Sequence, residues 1–408
     1  MRSETTLKVA VLALLAAGAA HGADAPAKAA NITEAITGGK AQVSFRMRYE
    51  DVDDDALNQD ANALTLRSRL TWTSAPLNGV SAMLEVDDIR SIVEDYNSTS
   101  NGKTTYPIVG DPEGTEVNQA NLKWQIGKNQ LIGGRQRVVL DNQRFIGNVG
   151  WRQNEQTYDS VAFKSSVLPR TEFTYAWIWN VNRVFGPKTG AQQANWHGDT
   201  HVINAKFNAG KAGTVSAFAY LMDFDNAAAQ SNATYGVLWT GSPEIAKGWK
   251  LPFAFSYATQ DDYKSNPVNY SADYWQAEAG ISYGPHSIKV GREVLEGHAT
   301  RAGAAFRTPL ATLHAFQGWV DKFLTTPPQG VEDTYVGFMT KVGPANCQVF
   351  WHDYQAEAVN RDYGTEWNAS VGFIFAKRYE LLFKAGRYNA DGFGTDATKV
   401  WVMATATF

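Results

Sequence analysis

The sequence predicts an all-β protein: a transmembrane antiparallel β-barrel of about 18 strands, with short periplasmic turns and longer extracellular loops. Three observations predict it. Apolar and polar residues alternate with period two in run after run, the connections between runs alternate short and long, and the chain ends on an aromatic residue in phase with its last apolar face. Mean hydropathy is negative, but a helix-oriented scan cannot see barrel strands, because the polar residues of each strand cancel the apolar ones.

The chain opens with Arg2 and Lys8, then a small and apolar run from Val9 to Ala20, then Ala20-His21-Gly22. A charged start, an apolar stretch of about 7–15 residues and a small-residue exit form a secretory signal peptide. The run is too short for a spanning helix, which needs about 20 residues. Residues 1–22 are therefore expected to be cleaved. Ala23–Ala30 is expected to lack regular structure. Asn31 followed by Glu34 has the form of a helix cap, and Gly38 is placed to stop the helix. Residues 23–39 thus form a periplasmic segment with one short helix, and residues 40–408 form the barrel.

The first strand sets the pattern. Ala41, Val43, Phe45, Met47 and Tyr49 alternate with Lys40, Gln42, Ser44, Arg46, Arg48 and Glu50. Successive strand side chains point to opposite faces, so one face is apolar and the other charged. Leu64, Leu66, Leu70 and Trp72 repeat this against Thr65, Arg67, Arg69 and Thr71; Ala120, Leu122, Trp124 and Ile126 repeat it against Gln119, Asn121, Lys123 and Gln125. It returns in Phe173–Trp179, Leu251–Tyr257 and Trp367–Phe373. The last strand aligns Val400, Val402, Ala404, Ala406 and Phe408. In hydrocarbon every backbone donor and acceptor must be paired, so strands cross only as a closed barrel. A soluble sandwich would have to bury Arg, Lys and Glu on strand after strand, which costs more than turning the apolar face to lipid.

Composition narrows the function. There are 37 Lys+Arg against 41 Asp+Glu, which argues against a nucleic-acid partner. A single cysteine, Cys347, excludes an intramolecular disulfide framework. No cofactor, metal centre or catalytic residue is expected. Gly280-Ile281-Ser282-Tyr283-Gly284 matches a nucleophile-elbow pattern, but it ends a strand at Gly284-Pro285 with no helix to follow. His197 and His201 do not share a helix face. Asp51, Asp53 and Asp55 begin like a calcium loop, yet Ala56 stands where the glycine belongs and Asn62 where the bidentate Glu belongs.

An 18-strand barrel leaves an aqueous lumen unless loops fill it. The strand phase places Arg46, Arg48, Arg67, Arg69, Lys123, Arg135, Arg137 and Lys164 inward from the N-terminal part. Glu85 joins them there, and Glu293 and Glu366 point inward from later strands, giving a basic wall opposite a more acidic one. Arginine rows attract anions, and guanidinium forks match carboxylates; the same charges can instead pair across the lumen and stiffen the barrel. Two long connections are candidates for a constriction. One is Asp141–Thr157, with Arg144, Trp151 and Arg152. The other is Glu296–Glu332, whose aromatics do not suit a disordered loop and whose length suggests function.

Within that second segment, Thr308-Pro309-Leu310-Ala311-Thr312-Leu313-His314-Ala315-Phe316-Gln317-Gly318-Trp319, followed by Asp321, resembles a hallmark of the alginate-export family of outer-membrane proteins. Gly134-Arg135-Gln136-Arg137, Asp141–Gly147 and Trp151-Arg152-Gln153-Asn154 resemble another of its blocks, as do Arg46–Glu50 and Thr65–Leu70. The resemblance implies a monomeric 18-stranded barrel with an arginine-lined, anion-selective pore, passing an anionic or polar small molecule or a polysaccharide; in the founding member a polyuronate moves outward. Thr308, Pro309, His314, Trp319 and Asp321 would belong to the constriction loop. The C-terminal Phe408 resembles the signal read by barrel-assembly machinery. Outer-membrane lipids and lipopolysaccharide are the other expected partners. The alternatives are an outer-membrane barrel enzyme and a closed surface or adhesion barrel.

Overall fold

A computed structural model describes residues 28–408; the expected signal peptide lies outside them. Asn31 caps a short helix, α1 (Ile32–Thr37), by accepting from the Glu34 backbone N–H at 2.9 Å. Glu34 reaches back to the Ala30 N–H at 2.8 Å, completing a reciprocal cap. Residues 28–30 are more ordered than expected, because the Ala29 N–H donates to the Pro76 carbonyl at 3.0 Å.

Twenty strands follow. They are β1 (Lys40–Asp54), β2 (Ala61–Thr73), β3 (Val80–Asp95), β4 (Gly114–Ile126), β5 (Asn129–Gln136), β6 (Thr157–Ser165) and β7 (Thr171–Asn182). Next come β8 (Asn195–Asn208), β9 (Thr214–Met222), β10 (Asn232–Gly241), β11 (Glu244–Ala246), β12 (Trp249–Lys250) and β13 (Phe253–Asp262). The chain finishes with β14 (Ser271–Tyr283), β15 (His286–Leu295), β16 (Val331–Val342), β17 (Ala345–Gln355), β18 (Asp362–Phe375), β19 (Tyr379–Ala390) and β20 (Ala397–Thr407). The short β11 and β12 form a small hairpin inside the connection from β10 to β13. The other eighteen strands make the wall, each antiparallel to its neighbours.

The wall closes where β1 meets β20, from Ser44 opposite Thr407 to Asp54 opposite Ala397. Phe408 carries the ladder one residue past β20, exchanging backbone bonds with Val43 at 2.8 and 3.0 Å. Closure leaves no sheet edge, which is the condition for crossing hydrocarbon. The two faces divide as the alternation requires: Phe45, Met47, Leu122, Trp124, Val237 and Trp239 are exposed on the outside, whereas Arg46, Arg48 and Glu50 are buried inside. Exposed apolar groups outside and buried charge inside reverse the order of a soluble protein.

Strands β1 and β3 end in long acidic extensions. Asp51–Asp54 and Asp88–Asp95 continue β1 and β3 rather than opening loops. The ladder needs only a paired neighbour, so the wall projects beyond the alternating segment into water. The side carrying α1 and Phe408 bears the tight turns and the β11–β12 hairpin, and the opposite side bears the long connections, 96–113, 137–156, 183–194 and 296–330.

Candidate pore constriction

Two of the long connections fold into the lumen and pair with each other. One runs over residues 137–156 and the other over 296–330. The Gly147 N–H donates to the Leu310 carbonyl at 2.9 Å, and the Thr312 N–H donates to the Gln143 carbonyl at 3.0 Å. Ile146 and Leu310 form a bridge between these segments and both are fully buried. The two loops therefore behave as one insert with two seams against the wall.

One seam is aromatic. Phe145 packs on Phe218 of β9 at 4.8 Å, on Tyr274 of β14 at 5.4 Å and on Phe306 of the partner loop at 6.2 Å. Phe323 packs on Tyr354 of β17 at 4.5 Å. Within this seam Arg144 pairs with Glu293 at 2.8 Å, donates to the Thr308 hydroxyl at 3.1 Å and lies 4.7 Å from the Phe316 ring. Glu293 also accepts from the Tyr274 hydroxyl at 2.8 Å and from Gln317 at 2.6 Å. Glu366 of β18 accepts the backbone N–H groups of Trp319 and Val320.

The other seam is ionic and follows β1 to β4. Arg46 donates to Gln153 Oε1 at 3.0 Å, to the Gly150 carbonyl at 2.9 Å and to the Arg152 carbonyl. Arg48 pairs with Glu50 at 2.8 Å and donates to the Trp151 carbonyl. Arg152 pairs with Glu50 at 3.0 Å and lies 3.7 Å from Asp111. Arg69 grips Asp87 with two bonds of 2.6 Å and Glu155 at 2.6 Å. Arg137 joins Glu85 and Glu155, and Arg67 lies 3.7 Å from Glu155. Arg46 and Arg67 stand directly opposite each other; Gln153 sits between their strands, accepting from Arg46 and donating to the Thr65 hydroxyl at 2.9 Å. Burial favours a neutral Glu155, but Arg69 and Arg137 outweigh it and hold the carboxyl well below its ordinary range.

The expected arginine wall is thus present but not bare. The loop of residues 137–156 covers it with carbonyls and a carboxylate. Lys123 faces the lumen and is partly exposed. Arg135 does not face the lumen. It stands opposite Ala120 and Asp159, and Asp159 is in phase with the exposed Val161. Its guanidinium grips Asp159 at 2.7 and 3.1 Å on the outer surface. Leu131-Ile132 and Gly133-Gly134 leave the phase of β5 ambiguous in sequence, and Arg137 reaches the lumen because the strand ends at Gln136.

Of the constriction-loop candidates, His314, Trp319 and Asp321 gather beside β19 and β20, whereas Thr308 sits with Arg144 in the aromatic seam. His314 Nδ1 meets Asp321 Oδ1 at 2.7 Å, and Asp321 accepts from Lys399 at 3.1 Å and lies 3.6 Å from Arg152. Burial pushes the His314 pKa down to about 3 against the pull of Asp321, with Lys384 adding to the fall. The ring is therefore neutral at pH 7. Above this floor, on the extracellular side, opens a vestibule of about 420 Å³. Pro309, Leu57, Ile108, Phe185, Leu313 and Leu324 line its sides, and Trp151, Arg152, His314, Asp321 and Lys399 line its base. Sequence reasoning missed Asp111, Glu155 and Lys399, and gave Gln153 no role beyond its place in the Trp151–Asn154 block. Glu155 directly follows the Trp151–Asn154 block and could have been suspected from that position; Asp111 carries no local signal.

No protein-family model matches the chain, and no curated protein matches it in sequence. The fold is shared with solved porin structures. OccAB4 of Acinetobacter baumannii is 14% identical with a TM-score of 0.72, over 91% of this chain and 98% of that one. OpdK of Pseudomonas aeruginosa, solved with vanillate, is 10% identical with a TM-score of 0.71, over 91% and 99%. OccD3 (OpdP) of the same organism is 11% identical with a TM-score of 0.70, over 93% of each chain. At these identities the likeness establishes the 18-stranded outer-membrane barrel fold.

Proposed function

We propose that this barrel is an outer-membrane channel, not an enzyme, and that it passes small anionic or polar solutes by diffusion. The observation that carries the reading is the arginine series through the constriction. Arg152 stands at the vestibule floor; Arg48, Arg46, Arg67, Arg69 and Arg137 lead from it toward the periplasmic side. These six arginines and Lys399 meet six carboxylates, Glu50, Glu85, Asp87, Asp111, Glu155 and Asp321, so one positive charge is left over. In a narrow low-dielectric passage such an excess favours anions. The apolar sides of the vestibule suit a solute that carries an apolar body beside its carboxylate, and the vanillate bound by OpdK is such a molecule.

The alginate-export resemblance supports a finer reading, in which the cargo includes uronates. Several of its blocks fall on the insert itself, with Arg144, Arg152, Thr308, Pro309, His314, Trp319 and Asp321, and the others fall on β1, β2 and β5. Repeated carboxylates would engage successive arginines. The barrel would work as a monomer, with lipid and lipopolysaccharide against its outer face and Phe408 presented to the assembly machinery.

Reversal potentials in planar bilayers under a salt gradient test the proposal. Anion preference is expected, reduced in Arg137→Gln. A sealed barrel or cation preference would overturn it. Block of the current by oligouronates and by small aromatic acids, compared at equal charge, separates the two cargo readings.

A further inference from the structure

Lys384 of β19 is a buried cation on the lumenal face, and among the described residues a lone pair and ring faces hold it, not a carboxylate. Its Nζ donates to His314 Nε2 at 2.6 Å. It lies 3.9 Å from the Trp319 ring, 4.3 Å from Trp151 and 5.4 Å from Trp401. His314 is free to accept because its Nδ1 is engaged by Asp321. The cage is braced around the ammonium. Trp151 stacks on His314 at 4.4 Å and meets Trp401 edge-on at 5.7 Å, and the Trp319 N–H is fixed by Glu366.

The four cage residues come from three places. Trp151 belongs to the first inward loop, His314 and Trp319 to the second, and Trp401 to β20. The tip of one side chain therefore joins both loops to the wall on this side, as Glu293 does on the other. We propose that the three indoles and His314 form an alkylammonium-binding site whose resident ligand is Lys384, and that occupancy of this site latches the insert shut. Indole faces attract an ammonium through their quadrupole, and the attraction is strongest when the cation is desolvated. A neutral side chain of similar length fills the same space without it. The latch rests on the channel reading above for its consequence, though not for its existence.

The test is chemical rescue. Lys384→Ala removes the propylammonium end of the side chain and leaves a hole of that shape. Lys384→Met keeps the volume and removes the charge, and guards against a variant that fails to fold. Heat-dependent mobility on gels confirms closed barrels. Both variants should show an open fraction of the single-channel current raised about thirtyfold, the size of a desolvated cation–π loss. Millimolar n-propylammonium chloride should return Lys384→Ala toward wild type and shift its tryptophan emission. Sodium chloride at equal ionic strength, and n-propanol, should do neither. Wild-type gating in both variants, or reversal by every salt alike, would overturn the latch. If the wild-type protein does not conduct at all, the channel reading fails. Tryptophan emission then decides the site by itself: an n-propylammonium-specific shift in Lys384→Ala upholds it, and no shift removes it.

Discussion

The two seams of the insert differ in kind. Against β9, β14 and β17 the loops pack aromatic rings, with Phe145 touching Phe218, Tyr274 and Phe306. Against β1 and β2 they present carbonyls and carboxylates to arginines, with Gln153 and Glu155 reaching Arg46, Arg67 and Arg69, and Arg137 of the loop reaches Glu85 of β3. Apolar contacts are lost outright when the loop moves, because nothing dissolved in the lumen can replace them. Ionic contacts are exchangeable, since a passing carboxylate offers an arginine the same two oxygens. On the proposed reading the aromatic seam is the fixed side and the ionic seam is the side along which a solute would move.

The largest test of this difference is Phe145→Ala. Removing a ring from the centre of the cluster should cost about 3–5 kcal/mol of loop docking. Limited proteolysis within residues 137–156 and 296–330 should become fast, with the barrel still closed. If the loops stay protected, the aromatic seam is not what fixes them.

Acid pH comes next. A released loop lets His314 titrate near its ordinary 6.5, whereas the docked ring titrates near 3. Protonation between these values favours release, so docking is strongest above pH 6.5 and weakens as pH falls toward 3, by about 1.4 kcal/mol per unit at most. Asp321, which faces the ring along with Lys384 and Arg152, is held below its ordinary 3.8 because His314, Lys399 and Arg152 outweigh the effect of burial. Its contribution stands above pH 3.8 and is lost below. Conductance should rise between pH 6 and about 4, and His314→Gln should flatten that rise.

Glu366→Gln should be milder. The amide oxygen still accepts the Trp319 and Val320 N–H groups, but without charge, for a loss of about 1 kcal/mol. More frequent brief openings are expected at unchanged ion selectivity. The smallest effect belongs to Arg135→Gln. Because that guanidinium lies outside the lumen, reversal potentials should not move, whereas in Arg137→Gln they should; equal shifts would restore Arg135 to the lumen.

Much of the barrel was legible beforehand. The strand number, the closing strand, the cap at Asn31 and the two faces of β1 follow from period two and from turn residues, which are local properties. The candidate site was legible in composition but not in state. Arg46, Arg67 and Arg69 are inward as the phase required, yet the carboxylates and carbonyls that cover them come from loops with no periodicity. Arg135 shows the limit within a strand: paired apolar and paired glycine residues at 131–134 erase the alternation, and register against Ala120 decides its face.

By itself the sequence determined a closed membrane-spanning barrel and the charge on its inner wall, because adjacent residues must serve two different solvents. Tertiary structure alone decided that two distant loops meet at Gly147 and Leu310, that Glu155 covers three arginines, and that Lys384 sits among indoles drawn from three segments. Those contacts join residues far apart along the chain, and no rule of spacing reports which side chains the folded loops bring together.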